Sequence, residues 1–296
     1  VSSIKPNTQT ESGHNRLRKP DWLRISRKSS PEQSEVEGLL KELGLNTVCK
    51  EANCPNYSDC FSRKTATFMI MGTDCTRNCR FCNVRTAKPK ELDAAEPGNV
   101  ALAVKQLALQ YVVITSVTRD DLPDGGAAHF AATIRAIKEF SPGTAIEVLI
   151  PDFGGSKEAL GVVVQAKPDV ISHNMETVAA LYPQVRAQAD YQGSLEMLAE
   201  IKRLDPDIKT KSGIMLGLGE TKEEVLELFD ELRKVNCELL TIGQYLAPSL
   251  NHHPVQAFIE PKVFEEYKQL AQQKSFGFVA SAPLVRSSYN ASEALS

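Results

Sequence analysis

Six of the seven cysteines in this 296-residue chain fall in two triplets. The first, "CKEANCPNYSDC", spaces Cys49, Cys54 and Cys60 as C-x4-C-x5-C; the second, "CTRNCRFC", spaces Cys75, Cys79 and Cys82 as C-x3-C-x2-C. Clusters of this kind suit metal binding or catalysis better than disulfides, and an odd total fits complete pairing poorly. Metal binding deprotonates each thiol, whose ordinary pKa is about 8.5. Structural zinc takes four protein ligands, and the second loop has no nearby His or fourth Cys to complete that set. A four-iron cubane held by three thiolates instead leaves one iron open to an outside ligand.

The elements that must carry these loops alternate. Strand-like runs are predicted at residues 67 to 72, 111 to 117, 145 to 150, 169 to 175, 208 to 216 and 239 to 245. Helices are predicted between them at residues 100 to 110, 126 to 140, 157 to 166, 194 to 204 and 222 to 234. The last helix has Thr221 as N-cap, Glu224 as its capping-box partner and a core stripe of Val225, Leu228, Phe229 and Leu232. Six alternations argue for parallel strands with right-handed crossovers, as a barrel, a partial barrel or an open sheet. In each case ligands gather at the carboxyl ends of the strands, which is where the second triplet falls. The first triplet precedes the repeat and belongs to an N-terminal extension.

Composition narrows the class. A hydrophobic content of 42% with 24% charged residues describes a globular chain with a sizeable core. The net charge of −3 gives no field that would gather nucleic acid or an anionic membrane. No apolar run approaches the roughly 18 to 20 residues that span a bilayer. The N-terminal residues also lack a secretory apolar core, so a reducing, cytoplasmic setting is expected. A basic run at residues 14 to 28, holding Arg16, Arg18, Lys19, Arg24, Arg27 and Lys28 against Asp21, suits an acidic partner or a solvated arm equally.

The C-x3-C-x2-C loop after the first strand, with Phe81 before its last cysteine, resembles the radical S-adenosylmethionine (SAM) superfamily. In that superfamily the open iron chelates SAM, and reductive cleavage yields methionine and a 5′-deoxyadenosyl radical. The upstream C-x4-C-x5-C triplet narrows the resemblance to the lipoyl synthase family. "RKPDWLR", "ITSVTRDDLPDGGAAHF", "SHNMETV", "KSGIMLGLGET", "QYLAPS" and "PLVRSSY" extend it from about residue 18 to 291.

The resemblance implies an α/β fold: a partial (β/α)6 TIM-like barrel with N-terminal and C-terminal extensions. Residues 1–62 would carry the auxiliary cysteines, residues 63–282 the barrel, and residues 283–296 a tail whose R-S-S-Y motif closes on the auxiliary cluster. It implies two [4Fe–4S] clusters and SAM. Cys75, Cys79 and Cys82 would hold the first cluster; Cys49, Cys54 and Cys60, completed by Ser288, would hold the second. The second cluster is then the sulfur donor at C6 and C8 of an octanoyl chain on a carrier-protein lysine. An octanoylated lipoyl domain or glycine-cleavage H protein, a low-potential donor such as ferredoxin or flavodoxin, and a cluster-repair protein are the implied partners of a monomer. Alternatives are a sulfur-inserting enzyme acting on a free small molecule, or an iron–sulfur electron-transfer or carrier module without chemistry of its own.

Supporting residues sit at the strand ends. Thr115, Ser116, Arg119 and Asp120 are candidates for SAM or substrate contacts, and Asp124, Gly125 and Gly126 for the methionine amino group. The same Asp-Gly-Gly equally suits a helix cap. Glu147 and Asn174 are candidates for the nucleoside, with inward-facing polar barrel residues as the plain alternative. Gly217 is expected to let adenine approach the backbone. His252 and His253 are adjacent, the wrong spacing for a helical zinc pair, and Cys237 reads as a small buried side chain. Ala257 and Ser172 depart from the family pattern, where Arg and Asn are usual.

Overall fold

Parallel strands joined by helices dominate the chain. The computed structural model describes residues 18 to 25, 30 to 63 and 67 to 295; Arg16, Arg27 and Lys28 of the basic run lie outside them. The strands are β1 (Asn46–Thr47), β2 (Thr67–Ile70), β3 (Asp74–Cys75), β4 (Arg85–Thr86), β5 (Tyr111–Ser116), β6 (Ala145–Leu149), β7 (Val170–Ser172), β8 (Lys209–Leu216), β9 (Leu239–Gln244) and β10 (Phe278–Ser281). The helices are α1 (Pro31–Glu42), α2 (Val48–Glu51), α3 (Tyr57–Ser62), α4 (Glu96–Gln106), α5 (Ala127–Phe140), α6 (Lys157–Gln165), α7 (Tyr182–Val185), α8 (Tyr191–Leu204), α9 (Lys222–Lys234) and α10 (Pro261–Gln273).

One sheet runs in the order β1-β2-β5-β6-β7-β8-β9-β10, while β3 and β4 pair separately. Only β1 is antiparallel to its neighbour in the large sheet. The parallel strands follow one another in chain order, so right-handed crossovers put their helices on a single face. The other face is left for the site. The sheet stays open, with β1 and β10 at its edges.

The structure adds a seventh parallel strand, β10, and the helix before it to the six strands and five helices expected. That helix was legible: Pro261 opens it, and Phe264, Tyr267 and Ala271 make a buried stripe at helical spacing. Strand β10 is short and only its Val279 is buried, so its apolar pattern is weak. The fourth helix begins and ends earlier than expected. Pro97 stands in its first turn, and Ala108 at φ 52° leaves the helical region. The capping box of Thr221 and Glu224 forms as expected. Each of Val225, Leu228, Phe229 and Leu232 is fully buried, a gain of roughly 1.5 to 3 kcal/mol per side chain.

The C-terminal tail crosses the inner face. After β10 the Pro283 carbonyl accepts from Gln244 N at 3.2 Å, at the carboxyl end of β9. Ser288 then meets Thr67 at the start of β2, and Ala294, in a short 3-10 helix, packs on Val170 and Leu239 at the starts of β7 and β9. A Cβ at Gly243 would lie 2.1 Å from the Val285 carbonyl oxygen, so only glycine admits the tail here.

Gly243→Ala is therefore expected to push the tail off β9 and to destabilise the protein by about 1 to 3 kcal/mol, the range for overpacking. In contrast, a Cβ at Gly98 in α4 meets nothing within 4 Å, so Gly98→Ala is expected to stabilise by up to about 1 kcal/mol. Thermal melts and limited proteolysis of the tail check the pair; equal behaviour of the two variants would detach the tail from β9.

Candidate active site and cluster cavity

The loop of Cys75, Cys79 and Cys82 lies past the end of β2 and is held from several elements. Cys75 Sγ accepts from Arg77 N at 3.4 Å and Thr118 N at 3.3 Å, and Cys82 Sγ accepts from Val84 N at 3.5 Å. Arg77 ties the loop to two other strand ends, donating to both Asp120 oxygens at 2.9 and 2.7 Å and to both Asp152 oxygens at 2.7 and 2.5 Å. Those carboxylates push the guanidinium pKa up against its burial, and hydrogen bonds from Arg77 help to hold Asp120 below its ordinary value. Asp120, expected among the SAM or substrate contacts, is thus engaged in loop support. Arg119 is likewise paired, with Asp121 at 2.8 and 2.9 Å.

The histidine pair has a related structural use. His252 Nε2 donates to the Cys82 carbonyl at 3.0 Å, which fixes its tautomer because a carbonyl can only accept. His253 N donates to the Arg80 carbonyl at 2.8 Å. The sequence signal was present in two adjacent histidines after a strand end; the fold was needed to show what they hold.

Facing the loop are Glu176 and Arg186, which sequence reasoning passed over. Glu176 is raised by burial, and Arg186 opposes that rise from close by. Arg186 donates to the Asn174 carbonyl at 2.9 Å and also acts on Cys79. Four buried polar atoms here, Ser116 Oγ, Ser172 Oγ, Asn174 Oδ1 and Thr177 Oγ1, have no hydrogen-bond partner among the described residues. Buried orphans of this kind are costly, and their position at the ends of β5 and β7 fits a polar ligand such as SAM.

Other expected contacts are already committed. Thr115 Oγ1 donates to the Leu149 carbonyl at 3.1 Å. Asp124 caps α5, accepting from Gly126 N at 2.9 Å and Ala128 N at 2.8 Å, while a Cβ at Gly126 would meet Met71 Sδ at 2.2 Å. Gly125 packs its backbone on Phe153. Glu147 is buried against Lys211 Nζ at 2.9 and 3.0 Å and accepts from Tyr111 at 2.6 Å. Gly217 admits the Ala257 carbonyl, which would lie 2.3 Å from its Cβ. These residues build the site's walls through protein contacts.

The first triplet surrounds a second site. Cys49 on α2, Cys54 in the following turn and Cys60 on α3 line a cavity of about 310 Å³ together with Thr67, Tyr111, Arg286 and Ser288. Thr67 Oγ1 donates to Ser288 Oγ at 2.8 Å. Asn56 donates to the Leu284 carbonyl at 2.7 Å, and Arg63 to Asn290 Oδ1 at 2.9 Å. The segment of the first triplet and the C-terminal tail therefore meet here. Among the described residues no three His, Cys, Asp or Glu converge on a single metal ion. A cluster asks for something different, since each thiolate takes its own iron. Three thiols and a hydroxyl around one cavity fit that demand. Cys237, by contrast, is fully buried in the core.

The chain is 59% identical to the lipoyl synthase of Alkaliphilus metalliredigens over 94% of its own length and 96% of that protein. It belongs to the lipoyl synthase family. The lipoyl synthase of Caldicellulosiruptor saccharolyticus is also 59% identical, over 93% of this chain and 97% of that protein. The radical SAM superfamily model matches residues 69–232, the span from β2 to the end of α9. Among solved structures, methylornithine synthase shares the fold at a TM-score of 0.53 and 14% identity, covering 87% of this chain and 84% of that one. The radical SAM and lipoyl synthase relationships imply [4Fe–4S] chemistry and SAM for this family member.

Burial pushes Cys49 and Cys79 up to about 11 and Cys60 and Cys82 up to about 12, and Cys54 is raised as well. At neutral pH the metal-free protein therefore holds these five as thiols, and metal loading must release their protons. Alkylation of these five thiols in chelator-treated protein, followed site by site, is expected to be slow at pH 7 and to rise steeply as pH approaches about 11, because only thiolates react. Half-maximal reactivity near the ordinary value of about 8.5 would show that burial does not govern them.

Proposed function

We propose that this lipoyl synthase family member inserts sulfur at C6 and C8 of an octanoyl chain carried on a protein lysine, drawing the sulfur from a second [4Fe–4S] cluster. The observation that carries this reading is the shared cavity: Cys49, Cys54, Cys60 and Ser288 line it although the tail lies more than two hundred residues away in sequence. When bound, the two clusters and SAM would supply a 5′-deoxyadenosyl radical and the sulfide.

The residues divide the work. Cys75, Cys79 and Cys82 hold one cluster, with Arg77 and His252 fixing the loop that carries them. Ser116 and Asn174, whose side-chain oxygens are buried without partners, bind polar groups of SAM. Glu176 and Arg186 set the charge beside Cys79. Cys49, Cys54 and Cys60 hold the other cluster. Ser288 would be its fourth ligand, a hard oxygen among soft thiolates and so a weaker hold on iron. Thr67 keeps the Ser288 oxygen over the cavity. The inner face of the sheet takes the acyl chain, with an octanoylated lipoyl domain or glycine-cleavage H protein as its carrier and a ferredoxin-type or flavodoxin-type protein as electron donor. A cluster-repair protein restores the spent cluster.

Anaerobically reconstituted protein is expected to hold about eight irons per chain, two cubanes' worth. With octanoyl-lysyl peptide and labelled cluster sulfide, the product should carry two labelled thiols. Four irons, or unlabelled product, would remove the proposal. Cys54→Ala is expected to keep SAM cleavage while losing sulfur insertion; loss of both in a variant with native circular dichroism would overturn the division of labour.

A further inference from the structure

We propose that Arg286 is the charge partner of the auxiliary cluster, its guanidinium facing the cavity of Cys49, Cys54, Cys60 and Ser288 and raising the reduction potential of the group held there. The inference rests on the two-cluster reading above and adds a positioning and tuning residue to it.

Arg286 lines the cavity and stands two residues before Ser288 on the same tail segment. Its Nη1 donates to the Val285 carbonyl at 2.6 Å. The same nitrogen lies 3.3 Å from where a Cβ at Gly243 would be, so the bare backbone of β9 leaves room for the guanidinium. Arg286 and Cys54 line the same cavity.

Arg286 differs from the paired arginines near it and near the other site. Arg77 has Asp120 and Asp152, Arg63 has Asp59, and Arg119 has Asp121. Among the described residues no carboxylate pairs with Arg286, although a guanidinium has five N–H donors to satisfy. A desolvated cation without a counter-ion is costly unless an anion comes to it. The expected occupant supplies one. A dipositive four-iron core with three thiolates and one alkoxide carries two net negative charges, and one-electron reduction adds a third. A fixed cation at the wall favours each added negative charge and so raises the potential.

The test uses full-length protein with Cys75, Cys79 and Cys82 all changed to Ala, so that only the auxiliary cluster remains. In that background, Arg286→Met is expected to lower the midpoint potential by at least about 59 mV, a tenfold shift in a one-electron reduction equilibrium. Arg286→Lys, which keeps the charge, is expected to recover most of it. If the Met variant takes up no iron while the Lys variant does, the charge is required at assembly and the proposal stands. Met and Lys variants that match each other, in potential or in iron loss, would overturn it. A parent protein that holds no cluster would remove the two-cluster reading itself, and this inference with it.

Discussion

The seat of the C-terminal tail on the inner face of the sheet is the constraint on which the second site depends. Gly243 leaves β9 bare where the Val285 carbonyl must pass, and Asn56, Arg63 and Thr67 then bind the tail from the N-terminal side. Each neutral hydrogen bond contributes only about 1 kcal/mol net, so no single one would hold a tail in place. Several converge on the segment that carries Ser288, and Ala294 adds apolar burial at its far end. The cavity forms where the tail meets the segment that carries the first triplet and the start of β2.

Polar cost is distributed unequally across the fold. Lys211, Glu147 and Tyr111 form a fully partnered group inside the sheet, and removing one member of such a buried pair typically costs about 3 to 5 kcal/mol. Burial and Glu147 together push the Tyr111 phenol up, which keeps it a donor. At the strand ends the pattern reverses: the hydroxyls of Ser116, Ser172 and Thr177 and the side-chain oxygen of Asn174 have no partner among the described residues. The interior is rigid where strands must stay in register, and polar capacity is held open where a ligand enters.

Much of the framework was legible from local pattern. Strands such as "YVVITS" are buried on both faces and read as continuous apolar runs, and α9 declares itself through Thr221, Glu224 and a periodic stripe. The fourth helix was misplaced because Ala108, an ordinary helix former, adopts a left-handed conformation that composition does not announce. Glu176 and Arg186 went unnoticed because nothing in their local sequence marks a charge near Cys79; the loop after β7 and the residue that ends α7 bring them there. Asp120, Glu147 and Gly217 have residue types that suit ligand contact, and the fold engages them with Arg77, Lys211 and the Ala257 carbonyl.

By itself the sequence determined the spacing of both cysteine triplets, since three thiols within a dozen residues remain close in any fold, and the alternating apolar runs that make a parallel α/β sheet. Only the tertiary structure decided that Ser288 and Arg286 join Cys49, Cys54 and Cys60 at one cavity. Loop spacing is a covalent constraint carried by the chain itself. A meeting between residues 54 and 288 rests on a glycine gap, a handful of hydrogen bonds and a buried apolar end, and those exist only once the sheet has formed.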